Sequence, residues 1–286
     1  MPGGGYFFDT IIRQGPFDED EPSVDDNLQE FGPVTDRALA YFAAETTRAR
    51  ATGRAVLANF GGTALGDIAL VTGPMLPQPR GIRDITEWYV STAARQDFVR
   101  EIFDRQSTLA VENLRKLKVA VGNNVDAVFI CGTDFGTQTS QFCSIDTFQE
   151  VWAPYYRRMN DWIHANTNWK TFKHCCGAIE PLLTPLLDAG FDIINPVQCS
   201  ATGMDPELLK KKYGARVVFW GGGVDTQQVL PFGTPQQVKA QVLERCRIFS
   251  RDGGFVFDAI HNVQAKTPVE NIVAMVDAVH EFNRKG

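Results

Sequence analysis

The sequence predicts an α/β chain in which a parallel sheet carries its helices outside, the architecture of an incomplete (β/α)8 barrel. Two observations predict it. Six short runs are apolar throughout rather than alternating, the mark of strands buried on both faces, and each gives way to glycine or polar residues. Between them lie longer segments with apolar residues at three- and four-residue spacing, several opened by capping residues. A closed barrel needs eight strands, so two are missing. At 286 residues the chain has an ordinary length for one such domain, and it is read as a single partial barrel over residues 1–286.

Residues 1–35 are irregular, because Gly3 to Gly5, Pro16, Pro22, Gly32 and Pro33 break any period around the aromatic Tyr6, Phe7 and Phe8. From Asp36 a helix is expected with Leu39, Phe42, Ala43 and Thr46 on one face, ended by Gly53. The first strand is 55–60 (AVLANF), with Gly61 and Gly62 as its exit. Segment 73–83 holds three prolines and two glycines and reads as a loop, a candidate lid. A long helical region follows to about Val121, broken near 94–97. The second strand is 125–131, and helix 145–166 carries a core stripe of Phe148, Val151, Trp152 and Tyr155.

The third strand is 170–176, followed by helix 179–189 and a fourth strand at 191–196. Asp205 caps a short helix with Pro206 at its first position. The fifth strand, 215–220, runs into Gly221, Gly222 and Gly223. Capping-box signatures at 234–237 and 267–270 open the last two helices, and the sixth strand, 255–260, lies between them and leads to His261.

Composition narrows the function classes. A formal net charge of −6 argues against nucleic acid or an anionic membrane as the default partner. The N-terminus lacks a signal-peptide pattern, and no stretch approaches the roughly 20 apolar residues of a membrane span. Six cysteines in a chain of this length suit reduced thiols in a cytoplasm better than a secreted disulfide framework. Cys131, Cys143 and Cys246 read as small buried residues, and His164 and His280 as surface or packing residues of helices.

Chemistry gathers where barrel sites lie, at the C-terminal ends of the strands. The richest end is KTFKHCCG at 170–177. Side chains two apart on a strand share a face, so His174 and Cys176 project together and Cys175 opposes them. An imidazole and a thiolate make half of a tetrahedral zinc site. Taken alone, the same pair also describes a satisfied histidine and a buried cysteine closing a strand. His261, on the same rim, raises the metal reading, although it also suits the start of the terminal helix. Asp134 reads equally as a turn former or as a carboxylate facing the mouth, and Gln198 lies at the exit of the fourth strand. Gly221 to Gly223 read as a tight turn or a phosphate-binding loop.

The segments HCCG at 174–177, DAGFDIINPVQ at 188–198, MDPELLKKKYG at 204–214, WGGGVDTQ at 220–227, LPFGTPQQV at 230–238 and TPVENIVAMVDAV at 267–279 resemble the uroporphyrinogen decarboxylase superfamily. More narrowly they resemble its corrinoid-dependent methyltransferase branch. The resemblance runs from about Arg54 to the end and implies a (β/α)8 barrel whose first two strands precede this chain. It also implies a zinc ion held by His174, Cys176 and, where that branch has a later cysteine, His261. Asp134 and Gln198 would then orient the substrate. The implied reaction moves a methyl group between a cobalamin carried by a corrinoid partner protein and a small methylated substrate or thiol. Two other readings stand beside it. One is uroporphyrinogen decarboxylation, whose enzymes lack the H-x-C pair. The other is a non-catalytic barrel fragment held in an oligomer or larger assembly, because open strand edges invite pairing.

Overall fold

The computed structural model describes residues 13–285. The aromatic run Tyr6 to Phe8 lies outside them. The chain gathers into two compact units: residues through Thr133 with Ser144–Phe172 and Asp188–Gly190, and Asp134–Cys143 with Lys173–Leu187 and everything from Phe191. Six strands are present among the described residues: β1 (Leu57–Ala58), β2 (Ala127–Cys131), β3 (Lys170–His174), β4 (Ile193–Asn195), β5 (Val218–Trp220) and β6 (Phe255–Val256). Their order in the sheet follows the chain, β1-β2-β3-β4-β5-β6. The pairs β1–β2, β4–β5 and β5–β6 are parallel, in the registers Leu57↔Ala127, Ile193↔Val218 and Phe219↔Phe255. This is the α/β class and the six-strand count of the expected incomplete barrel.

Every strand is shorter than its apolar run, because apolar character reports burial whereas a strand also needs a ladder of backbone bonds. The stretch after β6 shows the difference. Beyond Val256 the pairing continues only as isolated bonds, Gly223 N–H to Asp258 O at 2.9 Å and Ile260 N–H to Val224 O at 3.0 Å.

In the first unit the Gln96–Val121 helix is the organising element. Val99, Ile102, Phe103, Ala110, Leu114, Leu117 and Val121 are buried along one face, and each large apolar side chain so buried contributes about 1.5–3 kcal/mol. The Asp36–Arg50 and Ala153–Asn166 helices pack against it. The expected break falls at Arg95, whose φ of −124° is non-helical. Helix 145–166 is two helices, Ile145–Val151 and Ala153–Asn166, a correction with a simple cause. Pro154 has no N–H to donate and crowds the turn before it, so the helix restarts with proline in its first turn. The phase shifts with the break: Phe148, Val151 and Trp152 are buried, but Tyr156 rather than Tyr155 completes the stripe.

The segment 1–35 is also less irregular than expected over its described part. Ser23 accepts from Asp26 N–H and opens a single turn, Val24–Asn27. Loop 73–83 is a loop, as expected, and it is fastened to that turn. Asn27 bonds both the N–H and the C=O of Ile82. The fully buried Arg83 reaches Glu30 at 3.0 Å and the Asp26 carbonyl at 2.7 Å.

The core of the second unit lies between the Pro235–Phe249 and Val269–Lys285 helices, with Val224, Leu230, Val238, Val242, Cys246 and Ala278 buried together. The capping box at Thr234 forms in full with Gln237. Asp205 caps the Pro206–Tyr213 helix as predicted.

Candidate metal centre

His174 is the last residue of β3 and Cys176 lies in the turn beyond it, so the strand ends two residues earlier than predicted. The alternation survives the end of the strand. Cys175 is fully buried and its sulfur accepts from Phe135 N–H, while the Cys176 sulfur lies 3.4 Å from His174 Nε2. The turn itself is braced at each N–H. Cys175 donates to Asn195 O, Cys176 to Asp134 Oδ1, Gly177 to Gln198 Oε1 and Ala178 to Thr137 O, at 2.6, 2.6, 2.9 and 2.8 Å. Gly177 has a φ of +90°, and a Cβ there would stand 2.5 Å from the Gly136 backbone. Only glycine allows the two turns to touch.

His261 arrives from far along the chain. The bonds from 223 and 260 hold the segment after β6 beside the exit of β5. That approach uses the glycine run, since a Cβ on Gly223 would meet the Phe257 ring at 2.3 Å. Gly221 to Gly223 therefore serve close packing. The result is convergence: one ligand atom from each of His174, Cys176 and His261 lies within 4.8 Å of the others, all three residues being half-buried. The two imidazole centroids are 6.1 Å apart, edge to face.

The donors suit zinc. A tetrahedral zinc ion, with bonds of about 2.0–2.1 Å to nitrogen and 2.3 Å to sulfur, sets its ligand atoms about 3.3–3.6 Å apart. The His174–Cys176 pair already stands at that spacing, and the wider set needs shifts of about an ångström. Two nitrogens and one sulfur are a borderline-soft set, and three protein ligands leave the fourth position of an open site. Burial lowers the His174 pKa, with Lys173 and His261 acting in the same direction against Asp134 and Asn195, so the ring favours the neutral form that ligates. Burial raises the Cys176 pKa, reinforced by the Asp134 carboxylate. A bound cation is what would draw the thiolate out.

The remaining predicted site residues divide. Asp134 and Gln198 both reach the turn. Gln198 is buried, and its amide is engaged at both ends, by Gly177 N–H and by Gln138 Oε1 at 3.0 Å. Other polar residues of the strand ends close local turns: Asn59 accepts from Gly61 N–H, Asp225 from the N–H groups of Gln227 and Gln228, and Gln264 donates to Asn262 O. Cys131 and Cys246 are buried as expected, whereas Cys143 is only half-buried. Among the described residues no helix is long and apolar enough to cross a membrane.

Sequence reasoning missed Asn195, whose Oδ1 lies 2.7 Å from His174 Nδ1. Its signal was a polar residue ending the apolar run FDIIN, read there only as part of a strand. It also missed the Gly136–Gly177 approach, because a contact between two distant turns leaves no periodic trace in sequence.

Comparison with known proteins shows what the chain is similar to. The chain resembles uroporphyrinogen decarboxylase of Coxiella burnetii, at 25% identity over 91 residues, 30% of this chain and 24% of that one. It resembles that of Janthinobacterium sp. at 32% identity over 98 residues, 32% of this chain and 26% of that one. The matched stretch thus spans about a quarter of those relatives. A methyltransferase from Methanosarcina mazei shares the fold, with a TM-score of 0.57 and 17% identity, covering 85% of this chain and 64% of that one. The family model "Uroporphyrinogen decarboxylase (URO-D)" matches residues 68–282, three quarters of the sequence. The chain belongs to the uroporphyrinogen decarboxylase family.

Proposed function

We propose that this chain is a zinc-dependent methyltransferase of the uroporphyrinogen decarboxylase-like superfamily, exchanging a methyl group between the cobalamin of a corrinoid protein and a small thiol or methylated substrate. The observation that carries the reading is the convergence of His174, Cys176 and His261 within 4.8 Å. Zinc, when bound there, would act as a Lewis acid that lowers the pKa of a thiol or hydroxyl in the open position. The chain's own residues hold and orient. His174 and His261 would offer ring nitrogens to the ion and Cys176 its sulfur. Asp134 and Gln198 fix the turn that carries Cys176 through the N–H groups of Cys176 and Gly177, and from there would orient the substrate. In net terms, methyl transfer to a thiol forms a carbon–sulfur bond and breaks the cobalt–carbon bond. The bonding electron pair stays on cobalt, and the thiol proton goes to solvent.

The support is the donor set together with the H-x-C resemblance; the M. mazei methyltransferase, at 17% identity, speaks for the fold alone. With one thiolate in place of the branch's two, the centre would carry more net positive charge and favour an anionic incoming sulfur. The reading expects about one zinc per chain and methyl exchange between methylcobalamin and a thiol. Protein that takes up no zinc would overturn it.

A second reading, decarboxylation of a tetrapyrrole, is favoured by the names of the Coxiella and Janthinobacterium relatives. Incubation with uroporphyrinogen separates the two: coproporphyrinogen as product would establish the second reading, and its absence is the expected result.

A further inference from the structure

Asn195 ends β4 and bridges the tips of the strands that precede and follow it in the sheet. Its Nδ2 donates to the Trp220 carbonyl, the last residue of β5, at 3.0 Å. Its Oδ1 lies 2.7 Å from Nδ1 of His174, the last residue of β3. These two contacts settle each other. A carbonyl only accepts, so the group facing Trp220 O is the NH2 and the group facing His174 is the carbonyl oxygen. That oxygen also only accepts, so Nδ1 of His174 carries the proton. The lone pair is thereby left on Nε2, the atom 3.4 Å from the Cys176 sulfur.

We propose that Asn195 is a positioning residue that locks His174 in its Nδ1–H tautomer and so keeps Nε2 aimed, as a ready ligand, at the point where Cys176 and His261 converge. Free histidine in water favours the opposite tautomer, whose Nε2 proton would stand in place of a metal. The hydrogen bond also fixes the rotation of the ring. The backbone adds to the fit, because Asn195 O accepts from Cys175 N–H at 2.6 Å. One residue thus braces both the histidine ring and the turn that carries the cysteine. Outer partners of this kind are worth about 10–100-fold in metal affinity. The link to metal binding rests on the proposed zinc reading; the tautomer does not.

The test uses two variants with different losses. Asn195→Leu removes both side-chain bonds. Asn195→Asp loses the donor to Trp220 but keeps an acceptor for His174. In 15N-labelled protein stripped of metal, long-range proton–nitrogen correlation at a pH above the imidazole range reports each tautomer. The chain has 4 histidines, so single substitutions assign the signals. The expected result is Nδ1–H at His174 in the wild type and in Asn195→Asp, and a shift to Nε2–H in Asn195→Leu, with the His164 and His280 signals unmoved as the check on folding. Zinc affinity, measured by competition with a chelator, should fall about 10–100-fold in Asn195→Leu and much less in Asn195→Asp. A wild-type His174 with its proton on Nε2, or an Asn195→Leu protein with the wild-type tautomer and zinc affinity, overturns the inference. A wild type with the expected tautomer that binds no zinc upholds the positioning role and removes the proposed function instead.

Discussion

The tips of β3 and β6 bring the same kind of side chain, an imidazole, to the candidate centre by different means. At β3, His174 and Cys176 lie two residues apart on a turn whose N–H groups from 175 to 178 all have named acceptors, and the histidine ring is held by Asn195. At β6, His261 stands five residues beyond Val256, at the end of a segment aligned by backbone bonds to residues 223 and 224. The first tip is pre-organised locally; the second depends on the long-range packing of the 257–261 stretch. The site's rigidity therefore resides at the β3 tip, and substitutions at the two tips should separate accordingly.

The largest effect is expected at the glycine that lets the β3 turn close. Gly177→Ala would put a Cβ 2.5 Å from the Gly136 backbone and force a residue with a side chain to hold φ of +90°. We expect a loss of about 2–4 kcal/mol in denaturant unfolding, with zinc uptake abolished. Full zinc uptake by this variant would show that the turn is not braced as described. Next come the proposed ligands themselves. Cys176→Ala should take zinc from about one per chain to almost none. His261→Ala should retain weak binding through the preformed pair, yet lose more than the about 10–100-fold that a supporting residue costs. Equal losses in the two variants would erase the distinction between the tips.

Gly223→Ala acts on the other tip, because its Cβ would meet the Phe257 ring at 2.3 Å and the Asp258 carbonyl oxygen at 2.7 Å. The ring can move aside, but the backbone at Asp258 must shift as well, so about 1–3 kcal/mol of stability should be lost. Zinc binding should weaken through His261, with the His174 tautomer unchanged. The smallest effect concerns pH. Burial lowers the His174 pKa, so as pH falls through the ordinary histidine range, near 6.5, the unfolded chain takes up this proton more readily than the folded one. Stability of metal-free protein should therefore be highest above that range and decline below it, and His174→Gln should flatten the decline. An unchanged pH profile in that variant would remove His174 as its source.

Much of this was legible in the sequence for physical reasons. Buried parallel strands write themselves as short apolar runs, and helix starts as caps, so the six strands and the caps at Asp205 and Thr234 fall where expected. The H-x-C pair was legible because alternation is local. His261 was reached only by placing it at the end of the last strand, and its approach to the pair is a tertiary fact. The strands end sooner than their apolar runs because apolar residues continue where the ladder stops, as at 257–260. The break at Trp152 was written in Pro154, whose position in a helical period outweighs the amphipathic stripe around it. Gly136 was not legible, and Asn195 showed only as a polar end to an apolar run: each acts on a residue distant in sequence, so its partner could not be read.

The most direct test of the central claim is X-ray absorption at the zinc edge of protein loaded with about one equivalent of the metal. The expected shell is one sulfur and two imidazole nitrogens from protein, with the sulfur lost in Cys176→Ala and one imidazole lost in His261→Ala. A shell without sulfur, or one unchanged by either substitution, would contradict it.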